Sequence, residues 1–144
     1  MEKNFEYFGL FIDDNTFKQE TINFFNNILL KDKRQIKNFY FDHCTLLHKS
    51  QLKGNEELYY YLENNLGKQV MIQLVAIGEN DKVLAYKVAL PNNFCVNCAN
   101  KIPHITVLTF KNGKPVDSNS ITEWKEIYPV NVMTTLRKVS YSNK

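Results

Sequence analysis

Two short motifs in this 144-residue chain have the residue types and spacing of an acid–base site. Each is His-x-Thr followed by two aliphatic residues, and they begin at His43 and His104. In a β-strand, residues i and i+2 face the same side, so each histidine shares a face with its threonine. These threonines are Thr45 and Thr106. Cys44 with Leu46, and Ile105 with Val107, face the other side, and the repetition predicts a duplicated half-site.

Such a pair of half-sites suits the cleavage of a phosphodiester without a metal ion. The reaction needs a base for the attacking oxygen, an acid for the leaving oxygen, and donors for the non-bridging oxygens. Two imidazoles can divide the acid and base roles because the ordinary histidine pKa is about 6.5. One His-x-Thr in a strand is more often structural, but two with matching aliphatic tails favour function. We therefore predict a catalytic pair, His43 and His104, and phosphate-binding residues Thr45 and Thr106, with no cofactor and no metal.

Other side chains near the motifs are candidates for substrate binding. Lys49 and Lys111 follow the two motifs and could contact phosphates at the mouth of a cleft, although lysines at strand ends are equally often only solvated. Tyr7 is a candidate for stacking a nucleobase, together with Phe41 and Phe94. The sequence does not choose among these aromatic residues.

Two neighbouring features favour structural interpretations. His48 falls on the opposite strand face from His43 if the strand is regular, so we predict that it caps the strand end. Cys95 and Cys98 form a CxxC motif, but a structural zinc site needs four ligands and His104 has a better-supported role. We therefore disfavour a zinc site and a redox role for these cysteines.

The elements that must position the motifs follow from hydrophobic patterning. Strand patterns cover residues 6–12, 39–47, 69–77, 82–90, 102–110 and 131–139, and helical patterns cover residues 17–30 and 55–66. Turn residues at 78–81 predict a hairpin, and Thr16 begins a capping-box pattern for the first helix. Hairpins mixed with two helices predict an α+β fold with a largely antiparallel sheet. No linker composition occurs, so residues 1–144 are predicted to form a single domain.

Composition narrows the setting in which this domain works. Hydrophobic residues make up 44% of the chain and charged residues 23%, which is typical of a globular protein. No apolar run is long enough for a membrane span, and the N-terminus lacks the pattern of a signal peptide. We therefore expect a soluble, cytoplasmic protein with no membrane partner. The net charge of +3 allows a nucleic-acid ligand without indicating one.

The paired motifs resemble those of the two-histidine (2H) phosphoesterase superfamily. The chain is most similar to the cyclic phosphodiesterase domain of plant- and fungal-type tRNA ligases. The resemblance is carried by His43-Cys-Thr-Leu-Leu-His-Lys49, by Pro103-His-Ile-Thr-Val-Leu-Thr109 and by the later Ser118-Asn119. It implies a two-lobed, pseudo-symmetric fold of antiparallel sheets with outer helices and a central cleft, to which each lobe contributes one motif.

The resemblance also implies a reaction. A 2′,3′-cyclic phosphate on an RNA end or nucleotide would be opened to a 2′-phosphate without a metal, with His104 as the base and His43 as the acid. The partner would be an RNA end or a small 2′-linked nucleotide, and the domain could belong to a larger polypeptide. One alternative is cleavage of 2′,5′-linked oligoadenylates, as in viral antagonists of innate immunity. Another is a non-catalytic module that binds RNA ends.

Overall fold

The computed structural model describes residues 5–92, 94 and 98–140, which form seven strands and two helices. In chain order these are β1 (Tyr7–Ile12), α1 (Asn15–Ile28), β2 (Ile36–Phe39), β3 (His43–His48), α2 (Glu56–Glu63), β4 (Gln69–Glu79), β5 (Val83–Ala89), β6 (His104–Phe110) and β7 (Trp124–Val139). Two short 3-10 turns, Lys49–Gln51 and Pro115–Ser120, follow β3 and β6. The predicted α+β class with an antiparallel sheet is confirmed. No helix in the described part of the chain is both long and apolar enough to cross a membrane.

All described strands belong to one antiparallel sheet with the order β2-β6-β5-β4-β7-β1-β3. The long strands β4 and β7 pair from Gln69 opposite Thr135 to Gly78 opposite Trp124 and form a ribbon through the middle of the sheet. β5 joins the ribbon on one side and β1 on the other. The two lobes are therefore the two halves of one continuous sheet, with the second motif in one half and the first motif in the other.

The helices pack on the apolar face of the sheet, one on each half. The Phe25 ring of α1 contacts Tyr86 of β5 at 6.0 Å between centroids, and the Tyr59 ring of α2 contacts Phe8 of β1 at 5.6 Å. Phe25 and Phe8 are buried, and each ring contributes about 1.5–3 kcal/mol by leaving water. Because Tyr86 pairs with Ile105, these contacts lie on the side opposite the motif threonines.

Helix α1 begins earlier than the sequence pattern predicts. Oδ1 of Asp14 accepts the Phe17 backbone N–H at 3.0 Å, so Asp14 is the N-cap and the predicted capping box at Thr16 is wrong. Phe24 and Ile28, which the periodicity places on the apolar face, are 56% and 57% exposed. The buried stripe of α1 is therefore narrower than predicted.

The strand predicted over residues 39–47 is divided in the structure at Phe41. The φ angle of Phe41 is +31°, in a region that is costly for a bulky residue, and its side chain is fully buried. The Phe41 N–H donates to the Thr106 carbonyl at 2.9 Å, and the Tyr40 N–H donates to the Val107 carbonyl at 2.7 Å. The sharp change of direction therefore ties the start of β3 to β6, while burial of the ring offsets the strained backbone.

An equivalent connection runs from the segment before β6 to strand β3. The Ala99 N–H donates to the Leu46 carbonyl at 3.0 Å. Nδ2 of Asn100 and Sγ of Cys98 donate to the Thr45 carbonyl at 3.3 Å and 3.4 Å. Each motif strand is thus held by the segment that precedes the other motif, and this reciprocity brings the two half-sites together.

Candidate active site

The two motifs converge on one cavity of about 570 Å³. His43, Thr45, His104 and Thr106 all line it, so the structure brings together the four residues predicted as catalytic and phosphate-binding. The volume lies within the range of small-molecule sites, about 300–1,000 Å³. The cavity lining also includes Tyr7, Asp42, His48, Ser50, Asn100 and Asn119.

His104 is held in one tautomer by the backbone. Its Nδ1 lies 2.8 Å from the Ile102 carbonyl oxygen, which can only accept, so Nδ1 carries a proton. Burial lowers the pKa of His104 below its ordinary value of 6.5, and the nearby His43 lowers it further, while the bond to Ile102 opposes the change. The ring is therefore neutral near neutral pH with its lone pair on Nε2, which is the state that a general base requires.

His43 is oriented by a carboxylate. Its Nδ1 lies 3.3 Å from Oδ2 of Asp42, and Nζ of Lys18 lies 2.9 Å from Oδ1 of the same group. The hydrogen bond with His43, with help from Lys18, holds the pKa of Asp42 at about 2. An ionised carboxylate accepts Nδ1–H whether the imidazole is neutral or protonated, so Nε2 remains for the substrate.

The His43 ring also lies on a floor of two aromatic rings from β1. Tyr7 and Phe11 are each 4.8 Å from it between centroids, at 21° and 24°, and they are 6.2 Å from each other. Two rings stacked on opposite faces of the imidazole would be much farther apart than 6.2 Å, so Tyr7 and Phe11 lie side by side on the same face. Gly9 lies between them, and a Cβ there would come within 3.2 Å of the Cys44 carbonyl and 3.3 Å of the His43 ring. Its missing side chain therefore leaves space for the imidazole.

Thr106 is positioned by a second hydroxyl. Its Oγ1 lies 2.8 Å from Oγ of Ser118, which is 2% exposed in the second 3-10 turn. When Ser118 donates to Thr106, the Thr106 proton is directed to the Pro115 carbonyl at 3.4 Å, a long hydrogen bond that an oxygen in the cavity could replace. Asn119 lines the cavity directly, whereas Ser118 does not line it and contacts Thr106.

The predicted orientation of His48 is wrong. The register between β3 and β1 shifts at Leu46, which is a β-bulge. Leu46 and Leu47 are both fully buried, so alternation resumes one residue late and His48 lines the cavity on the same side as His43. The predicted capping role is present nevertheless, because Nδ1 of His48 accepts the Ser50 N–H at 3.1 Å.

The two lysines predicted near the substrate do not line the cavity. Nζ of Lys49 pairs with Oε1 of Glu6 at 2.9 Å, beside the cavity mouth. Lys111 follows the end of β6 that is remote from His104. The structure therefore separates Lys111 from the four motif residues and leaves Lys49 beside Glu6, which lines the cavity.

The predicted base-stacking residues also differ in their placement. Tyr7 lines the cavity, with its ring against the first motif's imidazole. Phe41 and Phe94 are 0% and 3% exposed, so neither can stack a base, and that interpretation is wrong. Tyr40, which was not predicted as a base-stacking residue, lines the cavity and is 38% exposed.

The cysteine motif lies partly outside the described residues. Cys95 lies outside the described residues, and Cys98 donates to a carbonyl of β3. Within the described ranges, no group of three or more His, Cys, Asp or Glu side chains could hold a metal ion. A second cavity, of about 290 Å³ at Gly78 and Trp124, has no histidine in its lining.

An antiparallel α+β sheet with helices on one face, and two His-x-Thr motifs meeting in a cavity on the other, define the class of two-histidine phosphoesterases. Residues 1–138 match the family model of the fungal tRNA ligase phosphodiesterase domain, and the chain belongs to this family. The resemblance stated from the two motifs is thereby confirmed.

Comparison with solved structures supports the fold. The crystal structure of a fungal RNA kinase superposes with a TM-score of 0.65 at 17% sequence identity, over 99% of this chain and 46% of that chain. The chain thus spans about half the length of that protein. No curated protein sequence matches the chain.

Proposed function

We propose that this domain hydrolyses 2′,3′-cyclic phosphates at RNA ends to 2′-phosphates by acid–base catalysis between His43 and His104. The observation that carries the proposal is that both rings line one cavity with Nδ1 engaged, which leaves both Nε2 atoms for the substrate. Membership of a phosphodiesterase family supports the reaction type. An RNA end is the proposed partner, and a larger polypeptide is the proposed setting, since the chain spans only 46% of the fungal RNA kinase.

In the proposed reaction, Nε2 of His104 takes a proton from water as the water oxygen bonds to phosphorus. The bond between phosphorus and the ribose O3′ breaks, and Nε2–H of His43 donates its proton to O3′. The product carries a 2′-phosphate and a 3′-hydroxyl. One histidine has gained a proton and the other has lost one, so exchange with solvent restores the starting state.

The two threonine hydroxyls complete the proposed site by donating to the non-bridging phosphate oxygens. Negative charge grows on these oxygens in the transition state, where fixed donors stabilise it more than they stabilise the bound substrate. Ser118 holds the Thr106 oxygen at 2.8 Å, so only the Thr106 proton has to turn from the Pro115 carbonyl to the substrate.

The proposal is tested by product analysis with three substrates. The protein is incubated with a nucleoside 2′,3′-cyclic phosphate, a 2′,5′-linked oligoadenylate and a 3′,5′-linked oligoadenylate, each with and without excess chelator. We expect chromatography to show hydrolysis of the cyclic phosphate alone, to the 2′-phosphate. The rate should be the same in chelator because two imidazoles supply the acid and the base.

A His43→Ala/His104→Ala double variant, purified in the same way, is the control for contaminating nucleases. Cleavage of the 2′,5′-linked substrate alone would replace the proposal with oligoadenylate hydrolysis. Binding of the cyclic phosphate without turnover would favour a non-catalytic module. Loss of turnover in chelator, restored by one metal ion, would contradict the two-histidine mechanism.

Burial of His104 predicts the position of the acidic limb of the pH profile. The base works only when neutral, so activity is present above the lowered pKa of His104 and is lost as pH falls through it. We expect kcat/KM for a 2′,3′-cyclic nucleotide to be half-maximal on the acidic side below pH 6.5. A flat profile, or an acidic limb centred above that value, would argue against His104 as the base.

A further inference from the structure

A third histidine faces the same cavity at a distance from the two motif histidines. The bulge at Leu46 turns His48 to the cavity side, three residues beyond Thr45 along β3. Because the bulge adds one residue, Thr45 to His48 spans only the two residues from Gly9 to Tyr7 on β1, which is about 7 Å at 3.3 Å per residue. His48 is therefore displaced along β3 from the proposed position of the reacting phosphate, and Ser50 and Asn100 line the same cavity.

The local backbone fixes which ring nitrogen of His48 is the donor. The Ser50 N–H, which can only donate, lies 3.1 Å from Nδ1 of His48, and Ser50 Oγ lies 2.8 Å from the same atom. Nδ1 is thus an acceptor, and the proton of the neutral ring is on Nε2. His48 presents a fixed N–H donor.

The neighbouring side chains are polar and held in place. Nδ2 of Asn100 donates to the Thr45 carbonyl at 3.3 Å, and its Oδ1 accepts from Nε2 of Gln51 at 2.9 Å. The charges beside this end are already paired, Lys49 with Glu6. Amide and imidazole N–H donors, together with hydroxyl oxygens that can accept from the ribose, are among the groups that proteins use to contact the sugar and phosphate of nucleic acids.

We infer that His48, Ser50 and Asn100 bind the sugar–phosphate backbone of the nucleotide that precedes the reactive RNA end. The domain would then act on the end of an RNA chain in preference to a free nucleoside cyclic phosphate. The position of the reacting phosphate in this inference rests on the proposed function.

The test compares a trinucleotide ending in a 2′,3′-cyclic phosphate with the corresponding nucleoside 2′,3′-cyclic phosphate. For the native protein we expect a higher kcat/KM with the trinucleotide. His48→Ala should reduce the ratio of the two kcat/KM values by about tenfold, through KM for the trinucleotide, because a hydrogen bond to a charged group is lost. Asn55→Ala is the matched control, since its Nδ2 donates to the Gln51 carbonyl at 2.7 Å and supports the same turn, while its side chain does not line the cavity.

Equilibrium binding separates this inference from the proposed reaction. A labelled trinucleotide that already ends in a 2′-phosphate is titrated into each variant, so no turnover is needed. We expect binding about tenfold weaker for His48→Ala and within twofold of native for Asn55→Ala, with thermal midpoints measured for both. Equal loss on both substrates, the same loss in Asn55→Ala, or no trinucleotide binding by the native protein would overturn the inference. Absence of hydrolysis together with a His48-dependent binding difference would refute only the reaction.

Discussion

Replacing His43 or His104 by alanine lowers kcat for a 2′,3′-cyclic phosphate by about 10²–10⁴-fold, the usual contribution of a positioned acid or base. Each substitution removes the one Nε2 atom that its half of the site offers to the reacting oxygens. The double variant loses much less than the product of the two single losses, because groups that act as a unit are not additive. Single-turnover kinetics with all three variants measures these effects.

The control for these variants is a substitution at a residue whose side chain is almost fully exposed. Tyr128 is 93% exposed on β7, and Tyr128→Ala should keep native turnover. All variants should retain a cooperative thermal transition, since His43 and His104 are only partly buried. If a folded His43→Ala or His104→Ala protein kept more than a tenth of native turnover, that residue would not be the acid or the base.

Replacing Thr45 or Thr106 by valine lowers kcat by about 10²-fold with a smaller change in KM, because each loses a donor to charge that develops in the transition state. Valine keeps the branched shape and removes the hydroxyl, whereas the matched variants Thr45→Ser and Thr106→Ser keep the hydroxyl and should recover most of the rate. Steady-state measurements of kcat and KM for the four variants test whether each hydroxyl is a donor to the transition state.

The two threonines should differ in stability. Thr106→Val leaves the buried Ser118 hydroxyl without its partner at 2.8 Å, at a cost of about 1–3 kcal/mol in the free energy of unfolding. Thr45 is more exposed and should show a smaller loss. A serine variant as slow as the valine variant at either position would mean that the hydroxyl is not the donor.

The two half-sites could be predicted from the sequence because a strand alternates strictly over three residues. His43 with Thr45, and His104 with Thr106, each need only one such step, and both pairs line the cavity. The same rule fails for His48 because a single extra residue at Leu46 reverses every later position. Nothing in the composition of that strand marks the bulge.

The residues that orient the motif histidines could not be predicted from the sequence. Asp42 precedes His43 directly, but adjacency in a chain does not show that a carboxylate reaches Nδ1 at 3.3 Å. Gly9 and Phe11 act on His43 only through the pairing of β1 with β3, which the sequence pattern does not specify. Ser118 was part of the resemblance, yet its contact with Thr106 depends on the fold of the second 3-10 turn.

The strand order also determines when the cleft can form during synthesis. β3, which carries the first motif, pairs with β1, and β1 pairs with β7 at the other end of the chain, where Tyr7 is opposite Val139. A two-stranded hairpin is only marginally stable by itself, so β1 and β3 need β7 beside them. On the ribosome, a nascent chain contains both His-x-Thr motifs before β7 has been made. It can therefore complete the cleft only after β7 has emerged, and the pairing of strands so far apart in the chain slows this step of folding.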